Sequence, residues 1–98
     1  YLGVALQEVP INAKILRHYH LPNRTGLFVV SMEPDSPASR SQLQEGDIIV
    51  SFHGKPLNTM HELFKELTRR DILTAVDVSV IRHTELLNFS LFPVAVSS

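Results

Sequence analysis

Short apolar patterns with the two-residue period of a β-strand recur along the chain. Apolar residues at 76, 78 and 80 alternate with polar ones, and the same alternation returns at 87, 89 and 91. These patterns predict two half-buried strands joined by a hairpin at about residues 82–85. The β-branched and apolar runs at 27–32 and 48–52 predict buried strands. The segment from Leu2 to Leu6 predicts a first strand that begins after a loop at Gly3.

Helical signals are clearest just before and within residues 60–70. Thr59 and Glu62 have the spacing of a capping box, in which each side chain bonds to the main-chain N–H of the other residue. This pair predicts a helix over 60–70. Apolar residues recur along it at helical spacing, namely Met60, Leu63, Phe64 and Leu67.

Two shorter helices are predicted next to prolines. Pro10 suits the first turn of a helix, and Ile11 and Ile15 are one helical turn apart, which predicts a helix at about residues 10–19. Ser36 is a suitable N-cap ahead of a proline, which predicts a short helix ending near Leu43.

These elements fit a single α+β domain. The chain has 98 residues, of which 44% are apolar and 19% are charged, so it is long enough for one hydrophobic core and too short for two. With about five strands, one long helix and two short ones, a mostly antiparallel sheet is favoured over a parallel one. Because the chain opens at Tyr1 without a Met, we expect it to be a segment of a longer polypeptide.

Composition and charge argue against nucleic-acid binding, a membrane-spanning helix and cysteine chemistry. Nine Lys and Arg residues against ten Asp and Glu residues leave a net charge of -1, so the basic surface that nucleic-acid phosphates require is not expected. No apolar stretch approaches the roughly 20 residues of a membrane-spanning helix. The absence of Cys excludes disulfides, thiolate metal ligands and cysteine nucleophiles.

Catalytic and metal-binding motifs are not evident. None of the four glycines forms part of a Gly-x-Ser-x-Gly nucleophile elbow or of a phosphate-binding loop. His18 and His20 are the only close histidine pair, but side chains two residues apart do not share a helix face and no third ligand is indicated. No cofactor, no metal and no catalytic residue is predicted.

Several motifs in series indicate a family. The chain reads Tyr-Leu-Gly-Val at 1–4, Ser-Pro-Ala at 36–38, Leu-x-x-Gly-Asp at 43–47 and Gly-Lys-Pro at 54–56, ahead of the capped helix. This order resembles a bacterial-type PDZ domain, and most closely those that follow the trypsin-like protease domain of the HtrA (Deg) family. The resemblance implies a single domain with its core at 1–93 and a tail at 94–98. The implied fold is a permuted, partly open barrel or sandwich of five to six strands, mostly antiparallel, capped by one long helix and one or two short ones.

The resemblance also implies a function. PDZ domains capture the C-terminus of a polypeptide, which adds as a strand to a sheet edge while main-chain N–H groups hold its carboxylate. The loop expected to hold the carboxylate is formed by Tyr1, Leu2, Gly3 and Val4. The groove expected to hold the peptide side chains is lined by Ala5, Leu6, Met60, His61, Phe64 and Leu67. An apolar terminal residue and an affinity near the micromolar range are expected.

Some of these assignments have alternatives. Leu2, Val4 and Leu6 alternate with the period of a strand and are also compatible with the core. Met60 is favoured over His61 as the first groove residue of the helix, but a rotation by one position would exchange them. Met60 and Leu67 could also pack inward with Leu63, which would leave Phe64 as the groove residue.

For the parent protein, the resemblance implies a serine endopeptidase whose protease domain precedes residue 1, in the periplasm or another extracytoplasmic space. The PDZ module would present substrates to that domain or activate it, and the full-length protein could be a homo-oligomer. The alternatives are a module for subunit assembly or autoinhibition without free peptide binding, and a PDZ domain of a tail-specific or intramembrane protease or of a secretion component.

Overall fold

The computed structural model describes residues 3–36, 38–69 and 75–91. Within these ranges it contains six strands and two helices. In chain order they are β1 (Val4–Pro10), α1 (Ala13–His18), β2 (Thr25–Met32), β3 (Ile48–Phe52), β4 (Lys55–Pro56), α2 (Met60–Arg69), β5 (Val76–Arg82) and β6 (Glu85–Leu91).

Among the described residues, the strands form one antiparallel sheet that does not close on itself. Its order is β1-β2-β3-β5-β6, with the short strand β4 paired to β3. Strands β1 and β6 therefore lie at opposite ends of this order. The predicted α+β class, with a mostly antiparallel open sheet and short helices, is confirmed.

Apolar residues cover both faces of the sheet. On one face, strand residues such as Leu27 and Val80 pack with Leu63 of α2 in the larger core cluster, and all three are at most 2% exposed. On the other face, Val50 and Ile81 form a smaller cluster beneath the apolar side of α1. Neighbouring residues of a strand point to opposite faces, and β3, β5 and β6 each contribute residues to both clusters. The result is a sheet with α2 on one face and α1 on the other.

The segment around Pro10 differs from the prediction. Pro10 is the last residue of β1 and pairs with Thr25, and the helix that follows is shorter, beginning at Ala13. Its N-cap is Asn12, whose side-chain oxygen accepts a hydrogen bond from the N–H of Lys14 at 2.8 Å. Pairing with β2 therefore extends the first strand through a proline that local preference placed in a helix.

The predicted helix after Ser36 is wrong. The described residues there form separate turns, in which serine hydroxyls bond to nearby main-chain groups. The hydroxyl of Ser36 accepts from the N–H of Ser39 at 3.2 Å, and the hydroxyl of Ser41 donates to the carbonyl of Ala38 at 2.6 Å. The bond at Ser36 is the one that an N-cap makes, whereas the bonds of the Ser41 hydroxyl to residues 38 and 43 compete with helical ones, so the cap is followed by turns.

A partly buried ion pair links the turn before β3 to the end of β5. The guanidinium of Arg82 donates from Nε to Oδ1 of Asp47 at 2.8 Å and from Nη2 to Oδ2 at 2.8 Å. The side chain of Asp47 is 2% exposed and that of Arg82 is 25% exposed. The hydrogen bond to Asp47 raises the pKa of Arg82 above its ordinary value, against the opposing effect of desolvation.

Candidate peptide-binding site

The hydrogen bonds of β1 determine which of its main-chain groups face away from β2. At its start the carbonyl of Gly3 accepts from the N–H of Glu33 at 2.7 Å, and after its end the N–H of Ile11 donates to the carbonyl of Arg24 at 3.1 Å. In an antiparallel pair, residues that bond to the partner alternate with residues whose N–H and C=O point the other way. The odd-numbered residues therefore bond to β2. The main-chain groups that point outward belong to Val4, Leu6 and Glu8.

A bulge in β2 preserves this alternation. Between Ala5 and Leu6 the register shifts, and Leu6 lies opposite Val29. Val29 bonds toward the other side, since its N–H donates to the carbonyl of Asp47 at 2.8 Å and its carbonyl accepts from the N–H of Gly46 at 2.9 Å. The main-chain groups of Leu6 are thus directed away from β2. Among the residues that the structure describes, no strand pairs with this outer edge of β1.

Helix α2 begins beside this edge with the predicted cap. The Thr59 hydroxyl accepts from the N–H of Glu62 at 3.2 Å, and Oε1 of Glu62 accepts from the N–H of Thr59 at 3.0 Å. The same carboxylate oxygen accepts from the N–H of Asn58 at 2.7 Å. The reciprocal capping box is confirmed, and it fixes where the helix starts.

One hydrogen bond joins the start of α2 to β1. Oε2 of Glu8 accepts from the N–H of Met60 at 3.0 Å. Glu8 therefore extends from the strand toward the helix N-terminus, where a carboxylate is electrostatically favoured. The outer edge of β1 and the start of α2 are therefore neighbours, and the region between them is the candidate groove.

The predicted groove residues on β1 differ in exposure. Val4 and Leu6 are partly buried and pack against the larger core cluster, whereas Ala5 is exposed. Even-numbered residues therefore have side chains on the α2 face of the sheet, and the alternative that Leu6 contributes to the core agrees with its packing. Leu6 is not fully buried, so part of its side chain still faces solvent.

The predicted groove residues on α2 also differ in exposure. Met60 is partly buried and packs against the larger core cluster, while His61 is exposed. Phe64 lies one turn after Met60 and is 54% exposed, unusually high for a large apolar side chain. Residues four apart share a helix face, so Met60 and Phe64 lie on the same face of α2. The backbone of Leu67 is helical, but its side chain lies outside the described residues.

The predicted carboxylate loop is described only in part. Gly3 has a φ of +77°, in the left-handed region that side chains disfavour, as expected for a glycine required by its backbone conformation. Val4 follows as the first residue of β1. Tyr1 and Leu2 lie outside the described residues.

Sequence reasoning missed Glu8. Its position in the strand, two residues after Leu6, would have placed its side chain on the same face as Val4 and Leu6. That signal was obscured because the helix was predicted to begin at Pro10, which left the end of β1 unassigned. The contact with Met60 spans 52 residues of sequence and has no local signature.

Comparison with known proteins identifies the family. A family model described as a PDZ domain matches residues 1–92. The periplasmic pH-dependent serine endoprotease DegQ of Escherichia coli is 29% identical over 80 residues, which cover 82% of this chain and 18% of DegQ. A probable periplasmic serine endoprotease, DegP-like, of Chlamydia pneumoniae is 28% identical over 97 residues, 99% of this chain and 19% of that protein. The chain thus spans about a fifth of the length of these curated relatives.

Solved structures agree with the sequence relatives. The HtrA3 PDZ domain bound to a phage-derived ligand, FGRWV, superposes with a TM-score of 0.68 at 27% identity and covers 95% of this chain and 83% of that one. The HtrA-type protease AlgW, solved with a decapeptide, superposes with a TM-score of 0.73 over 94% of this chain and 28% of that one. At 20% identity, the likeness to AlgW is one of fold alone. The chain belongs to the PDZ domain family, and its relatives are serine endoproteases of the HtrA, DegQ and DegP type.

Proposed function

We propose that this chain is a peptide-binding PDZ module that captures the C-terminus of another polypeptide as an additional strand on the outer edge of β1. The observation that carries the proposal is the row of outward main-chain groups of Val4, Leu6 and Glu8 beside α2. Unpaired N–H and C=O groups at a sheet edge offer hydrogen bonds to any extended chain, whatever its sequence. Such an edge supplies affinity, and the side chains beside it supply selectivity.

The peptide carboxylate is assigned to the loop of residues 1–4. The left-handed φ of Gly3 supports this, because alternating backbone conformations in a loop turn successive N–H groups toward one concavity that binds anions. The carboxylate then lies at the Gly3 end of β1, so the bound peptide runs antiparallel to the strand. Tyr1 and Leu2 belong to this hypothesis as the residues that precede Gly3.

An apolar terminal side chain is the expected ligand group. Val4, Leu6 and Met60 are partly buried, Phe64 exposes about half of its surface, and in this proposal all four line the candidate groove. A peptide side chain placed among them would remove apolar surface from water at roughly 25 cal/mol per Å². Since only a few peptide residues are held, binding is expected to be weak and reversible.

The parent protein is proposed to be an HtrA-like serine endopeptidase that acts as a homo-oligomer in the periplasm or another extracytoplasmic space. The relatives support this, because DegQ and the DegP-like protein are periplasmic serine endoproteases by name. Proteolysis would then belong to a domain outside this chain, and the PDZ module would deliver substrates to it or activate it. The HtrA3 PDZ domain bound to its ligand supports peptide capture as the role of the module.

The experiment is a titration of the 98-residue chain with short fluorescent peptides that end in an apolar residue. Each peptide is made with a free and with an amidated C-terminus, and binding is measured by fluorescence anisotropy. We expect amidation to weaken binding by about tenfold or more, since hydrogen bonds to a charged group contribute about 1.5–3 kcal/mol. Equal binding of both forms, or no binding together with concentration-dependent self-association, would contradict the proposal and favour a module for subunit assembly.

A further inference from the structure

We infer that Glu8 selects peptides that carry a Lys or Arg at the fifth residue counted back from the C-terminus. The inference rests on the proposed function, because it requires a peptide strand on the outer edge of β1. It adds a charged position to a site that is otherwise defined by main-chain bonds and apolar side chains.

The register of the added strand follows from the outer edge itself. Outward main-chain groups occur at every second residue, and the carboxylate lies at the Gly3 end. The terminal peptide residue therefore pairs with Val4, the third residue from the end with Leu6, and the fifth with Glu8. Pro10 would be the next outward residue, but it has no N–H to donate, so pairing ends there. The strand thus offers three pairing positions, of which Glu8 is the last.

The side chain of Glu8 is positioned to contact that fifth residue. Directly opposed residues of an antiparallel pair have Cβ atoms about 4.5–5.5 Å apart, and their side chains lie on the same face of the sheet. The bond to Met60 places the Glu8 carboxylate on the α2 face, which is the face that the first, third and fifth peptide residues share. The ammonium or guanidinium of a long side chain at the fifth position can therefore reach this carboxylate.

The Glu8 carboxylate can accept a further hydrogen bond from such a side chain. Within residues 3–36, 38–69 and 75–91, its hydrogen-bond partner is the N–H of Met60, which uses Oε2, and no cation lies within ion-pair distance of it. An ionised carboxylate has acceptor positions on both oxygens, so Oε1 is available to a donor on the peptide. Glu8 is exposed, so the gain is that of a solvent-screened ion pair, about two- to fivefold in affinity.

The test uses peptides with a free C-terminus and the same apolar terminal residue. One carries Lys at the fifth position from the end, a second carries norleucine there, and a third has the Lys moved to the fourth position, which faces away from α2. Affinities are measured by fluorescence anisotropy for the wild-type chain, for Glu8→Gln and for Glu85→Gln. Gln retains an oxygen that can accept from the N–H of Met60, so the variant removes the charge and keeps the helix contact. Glu85 is an exposed residue on β6, at the opposite end of the sheet order, and is the matched control for charge removal.

We expect the wild-type chain and Glu85→Gln to bind the peptide with Lys at the fifth position about two- to fivefold more tightly than the other two peptides. The preference should disappear in Glu8→Gln and shrink as the ionic strength is raised. If amidation abolishes binding but the Lys and norleucine peptides bind equally well to the wild-type chain, selection by Glu8 is overturned while the proposed function stands. A Lys preference that persists in Glu8→Gln also overturns it. Binding that ignores the free carboxylate overturns both.

Discussion

The carbonyl oxygen of Gly3 accepts a hydrogen bond from the N–H of Glu33 at 2.7 Å, although the φ of Gly3 is +77°. The residue before β1 is therefore bonded to the residue after β2, while its backbone has a conformation that favours glycine. Through this bond the conformation of the loop before β1 is coupled to the register of the strand. The proposed carboxylate site and the proposed strand-addition site are thus both positioned by Gly3.

Replacing Gly3 should separate binding from folding. In Gly3→Val, we expect a loss of stability of about 1–2 kcal/mol from the strained φ and a loss of peptide binding that exceeds what this destabilisation explains. The matched control is Gly54→Val, in the turn between β3 and β4. Gly54 has a φ of +76° and no atom within 4 Å of an added Cβ, so it has the same strain away from β1. Peptide titration and thermal melts measure the two effects, and equal binding by both variants would remove Gly3 from the site.

Phe64 is predicted to contribute to binding more than to stability. Because its side chain is 54% exposed, Phe64→Glu should change the free energy of unfolding by at most about 0.5 kcal/mol. The same change should weaken peptides with an apolar terminal residue about tenfold, since it places a charge in an apolar groove. Val30→Glu is the control, at a 49% exposed residue of β2. Unchanged affinity in Phe64→Glu, or the same loss in both variants, would contradict the assignment.

Met60 and His61 give a second test of the groove wall. Met60 is partly buried beside the groove and His61 is exposed, so His61→Ala should leave the affinity for apolar peptides within about twofold of the wild type. Met60→Ala should weaken binding several-fold and also lower stability, because Met60 packs against the core cluster. Titrations combined with chemical denaturation distinguish the two losses. A larger binding defect in His61→Ala than in Met60→Ala would place His61 in the groove instead.

The ion pair of Asp47 and Arg82 is predicted to stabilise the fold without affecting binding directly. Asp47→Asn removes a buried negative charge from a bidentate contact and should cost about 2–3 kcal/mol, less than a fully buried pair because Arg82 is 25% exposed. Asp77→Asn is the control, at an exposed residue of β5, and should change stability by at most about 0.5 kcal/mol. Chemical denaturation measures both, and equal stabilities would show that the pair contributes little.

The raised pKa of Arg82 determines how the stability contributed by this ion pair depends on pH. Its pKa is raised in the folded chain, so the folded state holds the proton more tightly than the unfolded state. The corresponding stability is fully present below the ordinary pKa of arginine and is lost only as the pH rises through the raised value. From neutral to moderately alkaline pH, Arg82 therefore stays protonated in the folded and unfolded chain. We expect the free energy by which the wild type exceeds Arg82→Lys, measured by chemical denaturation, not to decrease over this range.

Local sequence determined the elements whose signals lie within a few residues. The capping box of Thr59 and Glu62 specified the start of α2, because both of its hydrogen bonds join residues three positions apart. The strand Ile48–Phe52 was predicted with its observed bounds, and the alternating strands β5 and β6 were predicted together with their hairpin, since side-chain period and turn chemistry are local properties.

Tertiary structure decided the rest. Pro10 was predicted in a helix and lies in β1, because pairing with β2 outweighs a local preference, and the serines after residue 35 form turns rather than the predicted helix. The partial burial of Leu6 and Met60 and the contact of Glu8 with α2 depend on elements about 50 residues apart in the chain, which no local pattern encodes. The sequence alone could therefore predict a candidate peptide groove between β1 and α2, but only the packing of the helix against the strand determined which side chains and main-chain groups lie beside that edge.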